Sequence, residues 1–223
     1  MGKETETIAS EGLLFFSKTN RLISHELKNV LAIISETLGL IDELSALAKE
    51  GGDLPPGKLK SLSESVLEEI DRANRIVRHM NSFAHQIDNF LEEVDVSQTV
   101  PLIIELAGLD ANVKKITFEI GPATPVQVQT SPFFLNNLIF QFIRGYAGQT
   151  APASNITVGF ETEEDSAEII FSGLQAELMD NFPTSSQEFL ADILQARLSL
   201  EEENTILKIN IPKSLDESPL KSF

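Results

Sequence analysis

The stretch that decides the fold is ISHELKNVLAII, residues 23–34, in which one histidine stands between an apolar run and a charged cluster. From this stretch onward, apolar side chains recur in alternating steps of four and three, and no proline occurs between residues 8 and 49. This is the heptad pattern of a helix that packs along its length against a near-parallel partner. The predicted seam of this first helix comprises Ile23, Leu27, Val30, Ile34, Thr37, Ile41, Leu44 and Ala48.

The segment GGDLPPG (51–57) ends the first helix, because glycine is flexible and proline lacks a backbone N–H. A second heptad pattern follows it. Two long helices joined by a short breaker predict an antiparallel helical hairpin. The predicted seam of the second helix comprises Leu59, Leu62, Val66, Ile70, Ala73, Val77, Met80, Ala84, Ile87 and Phe90.

Both predicted helices carry further apolar residues beside their seams. A single hairpin buries only one stripe of each helix, so these residues need another partner. Two hairpins that dimerise into a four-helix bundle would cover them, and so would the second half of the same chain. The residues concerned are Leu31, Ile33, Leu38 and Leu40 on the first helix, and Leu67, Ile76, Phe83 and Leu91 on the second.

Beyond residue 94 the pattern changes to a mixture of helices and strands without the regularity of βαβ units. This mixture predicts an α+β sandwich, with one mixed sheet and helices on a single face. The predicted domains are a hairpin over 1–94, an α+β domain over 95–215 and a frayed tail over 216–223. In the second domain the predicted helices are 96–109, 131–148 (with Ser131 as N-cap and Pro132 at the first position) and 185–200, and the predicted strands are 115–122, 126–130, two within 155–173, and 205–212.

The composition restricts the partners of the protein. With 17 basic and 34 acidic residues the net charge is −17, which argues against nucleic acid or an anionic membrane as the main partner. There is no cysteine, hence no disulfide framework and no thiolate metal site. No apolar run reaches the roughly 18–20 residues of a membrane span, and the polar N-terminus does not resemble a signal peptide. We therefore expect a cytoplasmic protein.

His25 lies two positions from seam residues on either side, which on a helix is a rotation of about 200°. Its imidazole is therefore predicted to face outward, with Glu26 and Lys28 beside it and Asn29 one turn later on the same face. A neutral imidazole has a nucleophilic nitrogen, and a neighbouring carboxylate can orient its tautomer. These observations permit a chemical role and equally permit an inert, solvent-facing histidine.

Two further histidines, His79 and His85, lie on the second predicted helix. Neither has an acidic partner in a recognisable motif, so we interpret both as structural or surface residues. The three histidines show no spacing typical of metal ligands, and we predict no metal site.

The stretch SHELKNVLAII (24–34) closely resembles the H-box of sensor histidine kinases, which opens a dimerising helical hairpin. Further along, ANRIVRHMNSFA (73–84) is similar to the second hairpin helix of that family. VDVSQTVPLIIELAG (94–108) is similar to the opening of its Bergerat-like ATP-binding domain, and VQVQTSPFFLNNLIFQFI (126–143) to the strand and helix that carry its N-box. Val30 replaces the usual proline, which implies a straighter first helix. The residues that match the H-box are His25, Glu26, Leu27, Lys28, Asn29 and Leu31.

The second domain departs from the family at three places that matter for ATP. Gly145 falls where the family's Mg²⁺-binding asparagine is expected, with Gln141 one turn before it, and SGLQAEL (172–178) lacks the Asp-x-Gly-x-Gly loop. No glycine follows Gly173, although a phosphate-cradling loop and a mobile lid need glycine. The departures imply a degenerate domain that retains the fold, and we expect this chain to bind no nucleotide cofactor.

The resemblance implies a histidine phosphotransferase that moves phosphoryl groups between receiver-domain aspartates of response regulators. His25 would attack in line, Glu26 would orient or deprotonate the imidazole, and Lys28 and Asn29 would position the phosphoryl oxygens, with Mg²⁺ supplied by the receiver. The protein would be a homodimer and a phosphotransferase rather than an ATP-dependent kinase. Receiver docking is predicted at the apolar flank formed by Leu22, Ile23 and Val30.

Two alternatives of other classes remain. One is a pseudo-histidine-kinase, a dimeric binding or regulatory protein for receivers or kinases, in which His25 is inert. The other is an active sensor kinase core, in which the family associates an asparagine at the position of Asn29 with phosphatase action on the receiver.

Overall fold

The computed structural model describes residues 2–52, 55–85, 89–110, 113–122, 124–149, 154–201, 203 and 205–215. The predicted tail 216–223 and the predicted seam residue Ile87 lie outside these ranges. The chain divides into two compact units, Asn20–Ser82 and a larger unit made of Met1–Thr19 with Phe83–Phe223. The prediction placed a single boundary near residue 94 instead.

The smaller unit is the predicted helical hairpin. Helix α1 spans Gly2–Lys49 and helix α2 spans Lys58–His85, so the breaker ends the first helix as expected. On α1 the predicted seam is the buried stripe, since Ile23 and Val30 are 1% and 0% exposed and most other seam residues are half-buried. The heptad pattern therefore identified the inward face of α1 correctly.

On α2 the predicted seam is correct at some positions and lies one residue too far along the chain at others. Ile76 and Phe83 are buried, whereas Ile70 and Val77 of the predicted seam are exposed. The buried stripe is Leu62, Val66, Glu69, Ala73, Ile76, Met80 and Phe83, which also follows steps of four and three. The prediction was thus right at Leu62, Val66, Ala73 and Met80. It was wrong at 70, 77 and 84, where the residue one position earlier faces inward.

The larger unit is an α/β domain with a mixed sheet. Its main sheet has five strands in the order β2-β4-β5-β7-β6, with β2 and β4 parallel and the other neighbours antiparallel, and a separate antiparallel pair joins β1 to β3. The elements in chain order are β1 (Glu92–Asp95), α3 (Val96–Ala107), β2 (Ile116–Ile120), β3 (Gln127–Thr130), α4 (Pro132–Gly148), β4 (Ser154–Thr162), β5 (Ser166–Ser172), α5 (Ser185–Ile193), β6 (Arg197–Glu201) and β7 (Ile206–Pro212).

Two predictions for this unit need correction, and one strand was not predicted. The strand at 126–130 does not enter the main sheet, because β3 pairs with β1, a strand that the sequence did not predict. The helix predicted over 185–200 ends at Ile193, and residues 197–201 form edge strand β6. Gln195 adopts a φ of 51°, which no helix continues through, and the chain then turns into the sheet.

One face of the main sheet is apolar and forms the core of this unit. Alternate residues of the three central strands share this face, and helix α4 packs on it through the Phe142 and Phe171 rings, whose centroids are 4.9 Å apart. Ser131 and Pro132 occupy the predicted N-cap and first positions of α4. The buried strand residues are Ile156, Val158, Ala167, Ile169, Phe171, Leu207, Ile209 and Ile211.

The first turns of α1 belong to this larger unit. The Phe15 ring is buried and lies 5.1 Å from Phe83, 5.4 Å from Phe133 and 5.2 Å from Phe140, between ring centroids. Near it, the Glu11 carboxylate accepts hydrogen bonds from Gln141 on α4 and from Ser186 on α5, at 3.1 and 2.8 Å. A stable aromatic cluster thus binds the N-terminal part of α1 to α4.

Asp95 caps the N-terminus of α3 and also joins two loops. Its carboxylate accepts hydrogen bonds from the N–H and hydroxyl of Ser97, at 3.0 and 2.6 Å, and from the N–H of Val126 at 3.1 Å. Burial raises the pKa of Asp95, but the bonds from Ser97, Val126 and Gln98 outweigh burial and lower the pKa below its ordinary value. The charged form of this cap is therefore part of the folded state.

Candidate functional site

His25 lies on α1 within the hairpin unit, and its side chain is exposed, as the heptad geometry predicts. Its flanking seam residues Ile23 and Leu27 point inward, so the helix itself holds the imidazole on the outer surface. An exposed imidazole on a rigid helix is accessible to a partner protein and keeps its position without a supporting loop.

The His25 ring has one hydrogen-bonding partner among the described residues. The amide nitrogen Nδ2 of Asn29 lies 3.2 Å from His25 Nδ1, one helical turn away. The same nitrogen donates to Glu26 Oε2 at 3.3 Å. Asn29 therefore links the imidazole of His25 to the carboxylate of Glu26. The sequence predicts that His25 and Asn29 share a helix face, but it does not predict this hydrogen-bonded link.

Glu26 is buried, with 2% of its surface exposed. Its Oε1 forms an ion pair with the Arg72 guanidinium of α2, and the other terminal nitrogen of Arg72 lies 3.3 Å from Glu69. The prediction expected Glu26 to orient or deprotonate the His25 imidazole, and it assigned nothing to Arg72. The available signal was an acidic residue next to a buried stripe, because a buried carboxylate requires a cation nearby.

The remaining predicted site residues differ in how much of each side chain is exposed to solvent. Lys28 is exposed and Leu22 is half-buried, which leaves both accessible. Ile23 and Val30, predicted to dock a receiver, are buried in the seam. This part of the docking prediction is corrected, because a fully buried side chain cannot contact a partner while the hairpin is folded.

The other two histidines both lie on α2. His79 is half-buried on α2 and His85 is the exposed last residue of that helix. In the ranges that the structure describes, no group of three or more histidine, aspartate or glutamate side chains is arranged to hold a metal ion.

In the larger unit, the C-terminal half of α4 borders a cavity of about 60 Å³. Tyr146 is buried there, and its hydroxyl accepts a hydrogen bond of 3.0 Å from the N–H of Gln175. Gly145 is on the rim, and a Cβ at Gly145 would meet nothing within 4 Å. The cavity is lined by Phe142, Gly145, Tyr146, Gln149, Leu178, Met179, Asn181, Phe182, Thr184 and Gln187.

Gln141, one turn before Gly145, is bound by other parts of the same unit. Its amide donates to Asn137 Oδ1 on α4 and to Glu11 on α1, each at 3.1 Å. This face of α4 is therefore occupied by the chain's own polar side chains.

No protein-family model and no curated protein matches this sequence. The structure is similar to solved histidine kinases. The Acinetobacter baumannii histidine kinase AdeS is 14% identical with a TM-score of 0.45, over 85% of this chain and 98% of AdeS. A histidine kinase from Burkholderia phymatum is 12% identical with a TM-score of 0.44, over 89% and 99% of the two chains.

The histidine kinase ThkA, solved in complex with the response regulator protein TrrA, is 12% identical with a TM-score of 0.45, over 95% of this chain and 65% of the ThkA chain. With identities and TM-scores this low, these similarities decide neither the fold nor the function. In the described part of the chain, no helix has the length and apolar character needed to cross a membrane.

Proposed function

We propose that this protein is a histidine phosphotransferase of a two-component phosphorelay. His25 accepts a phosphoryl group from the aspartyl-phosphate of one response-regulator receiver domain and passes it to the aspartate of another. The observation that carries the proposal is the exposed His25 imidazole, hydrogen-bonded to Asn29, on a hairpin whose sequence resembles an H-box.

The transfer needs little from this chain beyond a positioned nucleophile. The lone pair of His25 Nε2 forms a bond to phosphorus while the bond from phosphorus to the aspartate oxygen breaks, and the carboxylate keeps that electron pair. Lys28, exposed three residues further along the helix, would attract the phosphoryl oxygens through its charge. Mg²⁺ held by the receiver would supply further neutralisation of their charge.

We propose further that the larger unit does not bind ATP. Gly145 on the rim of the cavity beside α4 supports this, because the resemblance places the family's Mg²⁺-binding asparagine at this position and glycine has no side-chain oxygen to hold the ion. The lack of glycine after Gly173 supports it too, since backbone N–H groups cradle phosphates best where side chains do not obstruct them. The phosphoryl donor would then be a partner protein.

We also propose a homodimer through the hairpin. Leu31, Leu38 and Leu67 lie beside the seams, and about half or more of each is exposed in the single chain. Apolar groups that recur along both helices are typical of an association surface. Phe83, by contrast, is buried in the larger unit against the rings of Phe15 and Phe133, so this chain covers it without a second copy.

The test is to incubate the protein with a phosphorylated receiver and to look for acid-labile, base-stable label. We expect label on the wild type, on His79→Ala and on His85→Ala, and none on His25→Ala. Label retained on His25→Ala would contradict the assignment. A wild type that binds the receiver without becoming labelled would favour the alternative of a binding protein with an inert His25.

The nucleotide part of the proposal has a separate test. Calorimetric titration with ATP and Mg²⁺ is expected to show no binding. Micromolar binding would overturn it and favour an active kinase.

A further inference from the structure

We propose that Arg72 is a positioning residue which, through Glu26 and Asn29, determines which nitrogen of His25 carries the proton. We call the chain of contacts from Arg72 through Glu26 and Asn29 to His25 the relay, and its role in catalysis rests on the proposed function. Its geometry does not, since the four side chains lie within one hairpin unit and their contacts can be tested without a phosphoryl donor. The role proposed for Arg72 is based only on its contacts in the structure, because the H-box motif lies on α1 and includes no residue of α2.

The relay begins with a buried charge. Glu26 is almost inaccessible to solvent, and a carboxylate in that position needs a cation and hydrogen-bond donors to replace water. Arg72 supplies the cation at Oε1 while its other terminal nitrogen is bound to Glu69. The guanidinium is thus held from two sides, and Oε2 of Glu26 is the oxygen that Asn29 contacts.

Glu26 in turn fixes the orientation of the Asn29 amide. An ionised carboxylate only accepts hydrogen bonds, so the atom of Asn29 that faces Oε2 at 3.3 Å must be the nitrogen. That nitrogen also lies 3.2 Å from His25 Nδ1. Because the amide nitrogen only donates, Nδ1 must accept, and in the neutral imidazole the proton is then on Nε2.

This arrangement has a consequence for reactivity. A protonated Nε2 has no lone pair, so it cannot form a bond to phosphorus. For Nε2 to react, the Asn29 amide must turn away, Nδ1 must take a proton from water, and Nε2 must give one to water, with no net change in charge. The Asn29 amide is therefore a gate between a resting and a reactive tautomer, and Arg72 holds the gate through Glu26.

The decisive variant is Glu26→Gln, which keeps the shape of the side chain. Arg72 only donates, so it would bind the glutamine oxygen and leave the glutamine NH₂ facing Asn29. Asn29 would then present its oxygen to this NH₂ and to His25 Nδ1. The relay therefore predicts that the major tautomer inverts, from Nε2–H in the wild type to Nδ1–H in Glu26→Gln.

The measurement is long-range ¹H–¹⁵N correlation NMR of the full chain with ¹⁵N-labelled histidine, at about pH 8.5, where an ordinary imidazole is neutral. His25→Ala identifies the His25 signals by their loss. Glu69→Gln is the matched control. Glu69 contacts Arg72, but it is not a member of the relay that runs from Arg72 through Glu26 and Asn29 to His25. This variant is expected to leave the Nε2–H tautomer in place.

Arg72 itself is tested in the Glu26→Gln background. Adding Arg72→Met is expected to abolish the inversion, because the cation that binds the glutamine oxygen is then lost, and adding Arg72→Lys is expected to restore it. An Nδ1–H tautomer in the wild type, or an Nε2–H tautomer in Glu26→Gln, would overturn the proposal. Failure of receiver labelling would instead refute the proposed function, and it would leave the tautomer result standing.

Discussion

The Arg72 guanidinium on α2 binds the buried Glu26 carboxylate on α1, and this ion pair joins the two helices of the hairpin next to the exposed His25. The pair lies among apolar seam residues, where an unpaired carboxylate is costly. It therefore contributes to the stability of the hairpin as well as to the arrangement of the site.

Arg72→Met is expected to destabilise the hairpin by about 2 to 4 kcal/mol, because it leaves Glu26 buried without its cation. The lower part of the usual range applies since Arg72 is partly exposed. Glu26→Gln in the same chain should recover much of this loss, as it removes the unpaired charge. Urea unfolding followed by circular dichroism, arranged as a double-mutant cycle, measures the coupling. If the effects of the two substitutions on the free energy of unfolding were simply additive, the result would contradict a stabilising ion pair between Glu26 and Arg72.

Phe15→Ala is expected to lower the free energy of unfolding of the larger unit by about 3 to 5 kcal/mol. The reason is that Phe15 is buried and contacts three other phenylalanine rings. The matched control is Leu14→Ala, one residue earlier on the same helix and 47% exposed, which should change stability little. Thermal unfolding compares the two variants, and equal losses would show that the aromatic cluster does not bind this part of α1.

The cap at Asp95 predicts a dependence of stability on pH. The native pKa of Asp95 is below the ordinary value of 3.8, so its contribution is complete above 3.8 and is lost as the pH falls toward the native pKa. Asp95→Asn keeps an oxygen that can accept the capping bond but removes the charge, and should cost about 0.5 to 1 kcal/mol at pH 7.

Urea midpoints of the wild type and Asp95→Asn at pH 7 and at a pH well below 3.8 test this dependence. The difference between the two proteins should shrink at the lower pH, because the wild-type carboxylate is then protonated as well. A difference that stays constant, or grows, would be contrary to the lowered pKa.

Leu31→Glu and Leu67→Glu are expected to produce monomers, because each places a charge on the exposed apolar surface of the hairpin. The wild type should sediment at tens of micromolar as a species of twice the 24.6 kDa chain mass. Leu13→Glu is the control, as Leu13 is 69% exposed but lies in the larger unit. A wild type that sediments only at 24.6 kDa would refute the dimer.

The sequence predicted most of the elements because their patterns are local. Heptad spacing identified both helices of the hairpin, and alternation identified β2, β4, β5 and β7. It failed where two local patterns competed. The apolar Ile70 and Val77 were predicted as seam residues of α2, although both are exposed. ARLSL (196–200) follows α5 and is compatible with a helix by its local pattern, but residues 197–201 pair with β7 as edge strand β6.

The site was predicted only along one helix. His25 and Asn29 were found because residues four apart on a helix share a face. Arg72 lies 46 residues from Glu26, and only the packing of α1 against α2 brings them together. The contacts of Phe15 and Glu11 with α4 escaped prediction for the same reason, as more than a hundred residues separate them from Phe133, Phe140 and Gln141.

Tyr146, whose hydroxyl accepts the N–H of Gln175 beside the small cavity, is the only tyrosine of a chain that has no tryptophan. Its ultraviolet emission therefore reports on the α/β unit alone, while the hairpin is spectroscopically silent at the same wavelength. Emission and far-ultraviolet dichroism recorded on one sample would show whether the two units melt together or in sequence. The protein thus carries its own optical label for one unit and requires no engineered fluorophore.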